Sequence, residues 1–270
     1  MRYRIDMAYD GSSFCGWQIQ PSSPSVQEEV EKALATLLKA PVGVVGAGRT
    51  DTGVNASRYV AHFDFPDGEL DCNQLRYKMN AILPKSVAIQ NIAPAAPDFH
   101  ARFGATCRQY QYFLHRVKDP FMEGRSYYYG YPQVDFEAMN RAASALLGTH
   151  DFSCFEKSGG DNKTSICTVY SARWETYSPA LSLFPAACAP EAPYWRFTIE
   201  ADRFLRNMVR AVVGTLLEVG RGKRSEADFA ALVLDAGESG AERPVKKESL
   251  RSNAGESVPG HALFLTDIRY

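Results

Sequence analysis

Between residues 46 and 56 the chain reads Gly-Ala-Gly-Arg-Thr-Asp-Thr-Gly-Val-Asn-Ala. Gly46, Gly48 and Gly53 frame one cation, Arg49, and one anion, Asp51, in a stretch with almost no apolar bulk. Glycine allows backbone conformations and close approaches that a side chain forbids. Such a loop can bring Asp51 and Arg49 right up to a bound ligand. Burial disfavours a charged carboxylate, and a neighbouring guanidinium offsets that cost and keeps the anion charged. A charged, positioned aspartate is a candidate nucleophile or base. The same residue types also serve a plain turn, with Asp51 capping a helix and Arg49 in solvent. Two phosphate-binding readings fail on spacing. Gly46-x-Gly48 lacks the third glycine of a dinucleotide turn, and the residues after it alternate like a strand. A Walker-type loop would end in Gly-Lys-Ser or Gly-Lys-Thr, which is missing here.

Two more segments carry candidate chemistry. Residues 107–117 alternate as a long strand, with Arg108, Tyr110, Tyr112, Leu114 and Arg116 on one face. Tyrosines so placed serve as core-edge residues with a polar tip, or as a surface on which an extruded base stacks. Residues 203–219 read as a strongly apolar helix. At roughly 100° per residue, Phe204, Leu205, Met208, Val209, Val212, Val213 and Leu216 make a broad buried face. Arg203, Arg206 and Arg210 fall along its margin, where an arginine snorkels to water or, beside so deep a helix, reaches inward to a carboxylate. The five histidines show no metal-ligand spacing, and no Ser–His–Asp order stands out. Six cysteines are scattered without Cys-x-x-Cys pairs, which speaks for reduced thiols and against a zinc site or a disulfide framework.

The elements that must hold these residues are legible from periodicity. Tyr3, Ile5, Met7 and Tyr9 alternate with Arg2, Arg4 and Asp6, a half-buried strand. Ser25 and Glu28 form a capping-box pattern ahead of a helix with Val26, Val30, Ala33, Leu34, Leu37 and Leu38 on one face, ending near Ala40-Pro41. A strand is expected from Tyr59 to Phe65, then a helix carrying Leu75, Met79 and Ile82 that stops at Pro84, then a strand from Val87 to Ile92. The second half repeats the theme. The strand at 107–117 precedes a helix with Phe136, Met139, Ala143, Leu146 and Leu147 that ends at Gly148. Strands come next at 164–177 and 194–201, then the apolar helix, then a closing strand at 262–269. Residues 119–132, 178–193 and 237–260 read as loops, rich in Gly and Pro.

Strand-then-helix units twice over predict an α/β (α+β type) fold, two mixed halves with sheets joined side by side. The break is expected close to Ala105, giving domains 1–105 and 106–270. With 270 residues, 45% hydrophobic and 23% charged, the composition is that of an ordinary globular protein. No apolar run approaches a membrane span. The net charge of −1 does not announce a nucleic-acid binder, but phosphate contacts need a local patch, not an overall surplus. Many of the basic residues, Arg102, Arg108, Arg203, Arg206 and Arg210 among them, fall near the motif segments.

The loop at 46–56 resembles the signature of the tRNA pseudouridine synthase A family, Gly-Arg-Thr-Asp-x-Gly-Val-His-Ala. Further matches occur in family order: Tyr9-Asp10-Gly11, Gly16-Trp17-Gln18-x-Gln20, Val26-Gln27, Asn80-Ala81-x-Leu83-Pro84 and Phe99-His100-Ala101-Arg102-Phe103. After them come Arg108-x-Tyr110-x-Tyr112, Gly148-Thr149-His150-Asp151-Phe152, Phe204-Leu205-x-Asn207-Met208-Val209-Arg210 and Leu263-x-Leu265. The resemblance covers essentially the whole chain.

It implies a pseudouridine synthase fold and isomerisation of uridine to pseudouridine at positions 38, 39 and 40 of the tRNA anticodon stem-loop. It further implies a homodimer that uses no cofactor and no metal, and the scattered cysteines point to a cytoplasmic protein. The resemblance makes Asp51 the catalytic carboxylate, in a dry pocket. Tyr110 would stack on the extruded base, Arg49 would engage the flipped-out site and its phosphate, Arg210 would orient Asp51, and Leu263 would pack beneath the target ring. The chain departs from the family at Asn55, where histidine is usual, and over Val258-Pro259-Gly260-His261-Ala262-Leu263, where Ala-Pro-Ala-x-Gly-Leu is usual. The alternative from another class is a non-catalytic RNA-binding homologue, and within the family it is a member acting on a different RNA or a subset of these positions.

Overall fold

The N-terminal alternation becomes strand β1 (Arg2–Tyr9), with Tyr3, Ile5, Met7 and Tyr9 buried and the intervening residues facing outward. The computed structural model describes residues 1–66, 68–157, 163–180, 193–235 and 250–270. After β1 come helix α1 (Val26–Leu38), strands β2 (Val44–Gly46) and β3 (Asn55–Asp64), helix α2 (Cys72–Ile82) and strand β4 (Val87–Pro94). Strands β5 (Cys107–His115) and β6 (Tyr127–Tyr128) precede helix α3 (Phe136–Ala143) and strands β7 (Gly148–Asp151), β8 (Ile166–Thr176) and β9 (Tyr194–Ala201). Helices α4 (Met208–Gly220) and α5 (Glu226–Ala230) and strands β10 (Leu234–Asp235) and β11 (Leu263–Arg269) complete the described elements. The fold is mixed α/β, its sheet mostly antiparallel with helices packed on it. The loops expected at 178–193 and 237–260 fall largely on 181–192 and 236–249, outside the described residues.

Residues 1–108 and 264–270 make one compact unit, and residues 109–263 another. In the first, β1 pairs antiparallel with β3 on one edge, Met7 opposite Tyr59, and with β4 on the other, Met7 opposite Ile89. The far edge of β3 is shared. Strand β2 pairs there antiparallel, Gly46 opposite Ala61, while β11 runs parallel with Phe264 opposite Asn55 and Leu265 opposite Ala56. Residues 47–54 therefore leave β2 opposite Ala61 and return at the very start of β3.

Helix α1 begins where the Ser25 hydroxyl accepts the Glu28 N–H and ends at Lys39, which takes left-handed backbone at φ 59°. Only half of the expected capping box forms, and the Glu28 carboxylate lies 2.8 Å from Lys32 Nζ. On α2, Leu75 and Met79 are buried as their spacing predicts, but Ile82, in the last turn, is exposed. Asn80 docks α2 on β4: its Nδ2 donates to the Ile89 carbonyl and its Oδ1 accepts the Ile89 N–H, both at 2.8 Å.

The second unit orders its strands β10-β7-β8-β9-β5, with β6 parallel to the end of β5. It uses the same docking device. Asn140 of α3 donates to the Trp174 carbonyl (3.1 Å) and accepts the Trp174 N–H (2.7 Å) of β8. The apolar period that predicts a helix as far as Leu147 is carried past Ala143 by a 3₁₀ turn, Ser144–Leu146, and Gly148 at φ 104° opens β7.

The helix expected from residue 203 starts only at Met208. Asn207 sits in left-handed backbone at φ 64°, which a helix of L-residues does not continue through. Arg203 and Arg206 therefore precede α4, and only Arg210 of the three arginines is helical. Helix α4 is buried nearly all round. Its one buried hydroxyl, Thr215, donates to the Ala211 carbonyl (2.7 Å) and accepts the Gly255 N–H (2.9 Å).

Two buried imidazoles make acid a stress on this fold. His62 Nδ1 accepts the Ala101 N–H at 3.1 Å, and His115 Nδ1 lies 2.9 Å from the Ser126 hydroxyl. Burial lowers the pKa of both. With the folded values depressed, the unfolded chain takes up protons first, so this stability is complete above about pH 6.5, the ordinary histidine value, and is lost as pH falls toward the folded values. The thermal unfolding midpoint should drop as pH is lowered from about 7.5 to about 5. The drop should shrink in a His62→Gln, His115→Gln double variant; an undiminished drop would assign the acid sensitivity to other groups.

Candidate active site

Three aromatic rings lie against the loop that joins β2 to β3. Trp17 stacks on Tyr59 with centroids 4.2 Å apart and planes at 29°, and Tyr9 meets Tyr59 at 5.5 Å. All three are buried. Tyrosine and tryptophan carry polar atoms that need partners once out of water, and the loop supplies them for the tyrosines. The Tyr9 hydroxyl is 2.9 Å from Thr50 Oγ1, and the Tyr59 hydroxyl donates to the Gly48 carbonyl.

Backbone bonds complete the clamp. The Trp17 N–H donates to the Thr50 carbonyl and the Gly53 N–H to the Phe14 carbonyl, each at 3.3 Å, and the Ala47 N–H donates to the Val60 carbonyl at 2.9 Å. Arg108 Nη2 reaches the carbonyls of Ala47 (2.9 Å) and Arg102 (2.8 Å). Gly16 is required where it stands. Its φ is 99°, and a Cβ there would fall inside van der Waals contact of the Thr50 carbonyl oxygen.

The clamp decides which way the loop's charges face. Thr50 is turned into the aromatic cluster, and the residues on either side of it are more accessible, Arg49 exposed and Asp51 half-buried. Asp51 opens a tight turn in which its carbonyl accepts the Val54 N–H at 3.1 Å, and β3 begins at once. Asp51 therefore caps no helix, because the element it leads into is a strand.

The other expected site residues lie in the second unit. Tyr110, on β5, is buried, with Phe204 edge-on at 5.1 Å and 89°. Two residues along, Tyr112 is fully buried, and its hydroxyl finds no hydrogen-bond partner among the described residues. Burial pushes the Tyr112 phenol well above its usual pKa, with the Arg210 charge pulling the other way. Arg210 stands in the first turn of α4, held twice by one residue. Its Nε donates to the Val258 carbonyl at 2.8 Å, and its own carbonyl accepts the Val258 N–H at 3.2 Å. Beside it, Asn207 Nδ2 donates to the Ser257 hydroxyl at 2.6 Å. The segment that departs from the family pattern thus starts by gripping Arg210 and ends, after a 3₁₀ turn at Gly260–Ala262, on the buried Leu263.

Arg49 and Asp51 come together on one loop, and Tyr110, Arg210 and Leu263 belong to the other unit. Sequence reasoning missed the support beneath the loop: Tyr9, Trp17, Tyr59 and Arg108. The signal available for it was that Tyr9, Trp17 and Arg108 all stand in the ordered motifs. Among the described residues no three His, Cys, Asp or Glu side chains converge as metal ligands would.

Two tyrosine hydroxyls make opposite predictions. Tyr59→Phe deletes a made hydrogen bond and should cost about 1 kcal/mol in urea unfolding. Tyr112→Phe deletes a buried hydroxyl without a partner and should be neutral or stabilising by up to about 1 kcal/mol. Equal losses at both positions would contradict the assignment.

A family model described as tRNA pseudouridine synthase matches residues 7–104 and 142–270 of this chain. The chain is 45% identical over 271 residues to the tRNA pseudouridine synthase A of Bacteroides fragilis, a match spanning 100% of this chain and 96% of that protein. It is also 45% identical over 270 residues to the protein of that name in Parabacteroides distasonis, across 100% of this chain and 96% of that one. With the Bacillus subtilis tRNA pseudouridine synthase A the identity is 35% over 273 residues, across 100% and 99% of the two chains.

Proposed function

Because the chain belongs to the tRNA pseudouridine synthase family, we propose that it isomerises uridine to pseudouridine at positions 38, 39 and 40 of the tRNA anticodon stem-loop, with Asp51 as the catalytic carboxylate. The observation that carries this reading is the clamped loop, which holds Arg49, exposed, and Asp51, half-buried, on either side of the anchored Thr50. The reaction breaks the N1–C1′ bond, turns the uracil in place and joins C5 to C1′. A proton leaves C5 and one is taken up at N1. No group is oxidised or reduced and no water is consumed, so the chemistry needs a held carboxylate and a shielded base, not a cofactor.

A carboxylate fixed at the sugar–base junction serves each route open to it: addition to C1′, addition to the base, or removal of a sugar proton. Positional fixity is what the aromatic clamp supplies, and orientation is worth several orders of magnitude in rate. Arg49, exposed beside Asp51, is suited to the phosphate of the extruded nucleotide, since its planar fork binds phosphate bidentately. In the same reading Tyr110 stacks on the base, Arg210 orients Asp51 and Leu263 forms the floor beneath the ring. The division into a domain 1–105 bearing Asp51 and a domain 106–270 bearing the other three belongs to it too. The protein works as a homodimer in the cytoplasm and recognises tRNA by shape and phosphates more than by base edges. No helix among the described residues is long and apolar enough to cross a membrane.

Purified protein should convert uridine in an unmodified tRNA transcript without added metal or cofactor, at nucleotides read out by mapping. Asp51→Ala should still bind the transcript while turnover falls by about 10²- to 10⁴-fold or more. Wild-type turnover per bound complex in that variant would overturn the assignment. Arg210→Lys should not restore what Arg210→Ala loses, because an ammonium lacks the fork. Tyr110→Phe should impair activity less than Tyr110→Ala if stacking is its task; equal impairment would point to the hydroxyl.

A further inference from the structure

Strand β3 opens on a buried amide. Asn55 is 1% exposed, and its Oδ1 accepts the Gly11 N–H at 2.8 Å. Its backbone stands opposite Phe264 of β11, and its neighbour Ala56 stands opposite both Tyr9 and Leu265. Gly11 begins a single 3₁₀ turn, Gly11–Ser13, which Asp10 caps by accepting the Ser12 N–H at 3.0 Å. Phe14 closes that turn, donating its N–H to the Gly11 carbonyl at 3.0 Å, and its own carbonyl accepts the Gly53 N–H. The turn thus grips residues 53–55 at both ends, through the Asn55 amide at Gly11 and through Gly53 at Phe14. The approach is backbone to backbone. A Cβ on Gly11 would collide with the Val54 carbonyl oxygen.

We infer that Asn55 is a positioning residue for the reaction: by holding Gly11 with its amide oxygen it sets the exit of the Asp51 loop, and so where the Asp51 carboxylate stands. This rests on the proposed role of Asp51. The entry of the loop is fixed by the aromatic cluster at Gly48 and Thr50; the exit has the 3₁₀ turn. A loop fixed at one end alone would let the Asp51–Val54 turn pivot, and misplacement of a catalytic group by about 1 Å costs on the order of 10²-fold in rate. Asn55 lies four residues past Asp51 and, at 1% exposed, is closed off from a bound substrate, so it acts through the backbone it holds.

The test compares Asn55→Leu, which removes the acceptor at similar size, with Asn55→Asp, which keeps an oxygen in the same place. Steady-state kinetics on an unmodified tRNA transcript should show kcat reduced at least about tenfold in Asn55→Leu, with KM within about twofold of wild type. Amide hydrogen exchange in the same variant should be faster at Gly11 and Gly53. Asn55→Asp should recover most of kcat. If Asn55→Leu does not fold, Asn55→Ser, whose hydroxyl falls short of Gly11, carries the comparison. An unchanged kcat despite faster exchange at Gly11 would overturn the inference, as would a rise in KM with kcat intact, or an equal loss in Asn55→Asp. Failure of the underlying reading would be distinguishable, since Asp51→Ala would then turn over normally whatever the Asn55 variants did.

Discussion

Three buried aromatic rings must place their polar atoms somewhere, and the arrangement of the Asp51 loop is a consequence of that need. Tyr9, Trp17 and Tyr59 come from β1, from the segment after it and from β3. Two of their three polar tips end on loop atoms, at Thr50 and Gly48. Leaving either hydroxyl unpaired in that interior would cost about 1–3 kcal/mol. The loop has only a short turn of its own, so its conformation is imposed by the core beneath it. Loops usually carry function at the expense of order. This one carries two charges on a backbone tied to the core at Ala47, Gly48, Thr50 and Gly53.

Arg210 shows the same economy in the second unit. Its Nε and its carbonyl are both engaged by Val258, so the guanidinium is aimed by the segment that crosses the start of α4. Thr215 and Asn207 fasten that segment further along, at Gly255 and Ser257. A helix buried on nearly every side can present a cation only at its end, and Arg210 occupies the first turn.

Much of this was legible in the residues, and what was not has physical reasons. Local period gave β1, β5, β8 and β9 to within two residues, whereas β3, expected from Tyr59, already starts at Asn55. Helix α4 was misjudged at its start because Asn207 has an ordinary side chain, and only its backbone, at φ 64°, breaks the helix. The extension past Ala143 kept helical spacing while changing to a 3₁₀ turn, a difference that apolar spacing does not register. The loop's charged pair could be read from composition, but its support could not. Tyr9 and Tyr59 meet through the pairing of β1 with β3, Trp17 joins them by stacking on Tyr59, and Arg108 reaches the Ala47 carbonyl from β5, contacts that no local pattern shows. The parallel pairing of β11 with β3 joins the last strand to the motif loop's exit, and no local pattern encodes it. In the residues Asn55 shows only as a departure from the usual histidine, and the fold gives it a buried partner.

Catalysis by a clamped Asp51 requires the loop to be built before RNA arrives. Amide hydrogen exchange of the free protein, resolved at Trp17, Ala47, Gly53 and Gly11 and repeated with bound tRNA, tests this most directly. If the clamp is as described, these four amides exchange as slowly as the core of β1 and β3 in the free protein and change little on binding. Fast exchange in the free protein, with protection appearing only in the complex, would mean that the substrate and not the aromatic core shapes the loop.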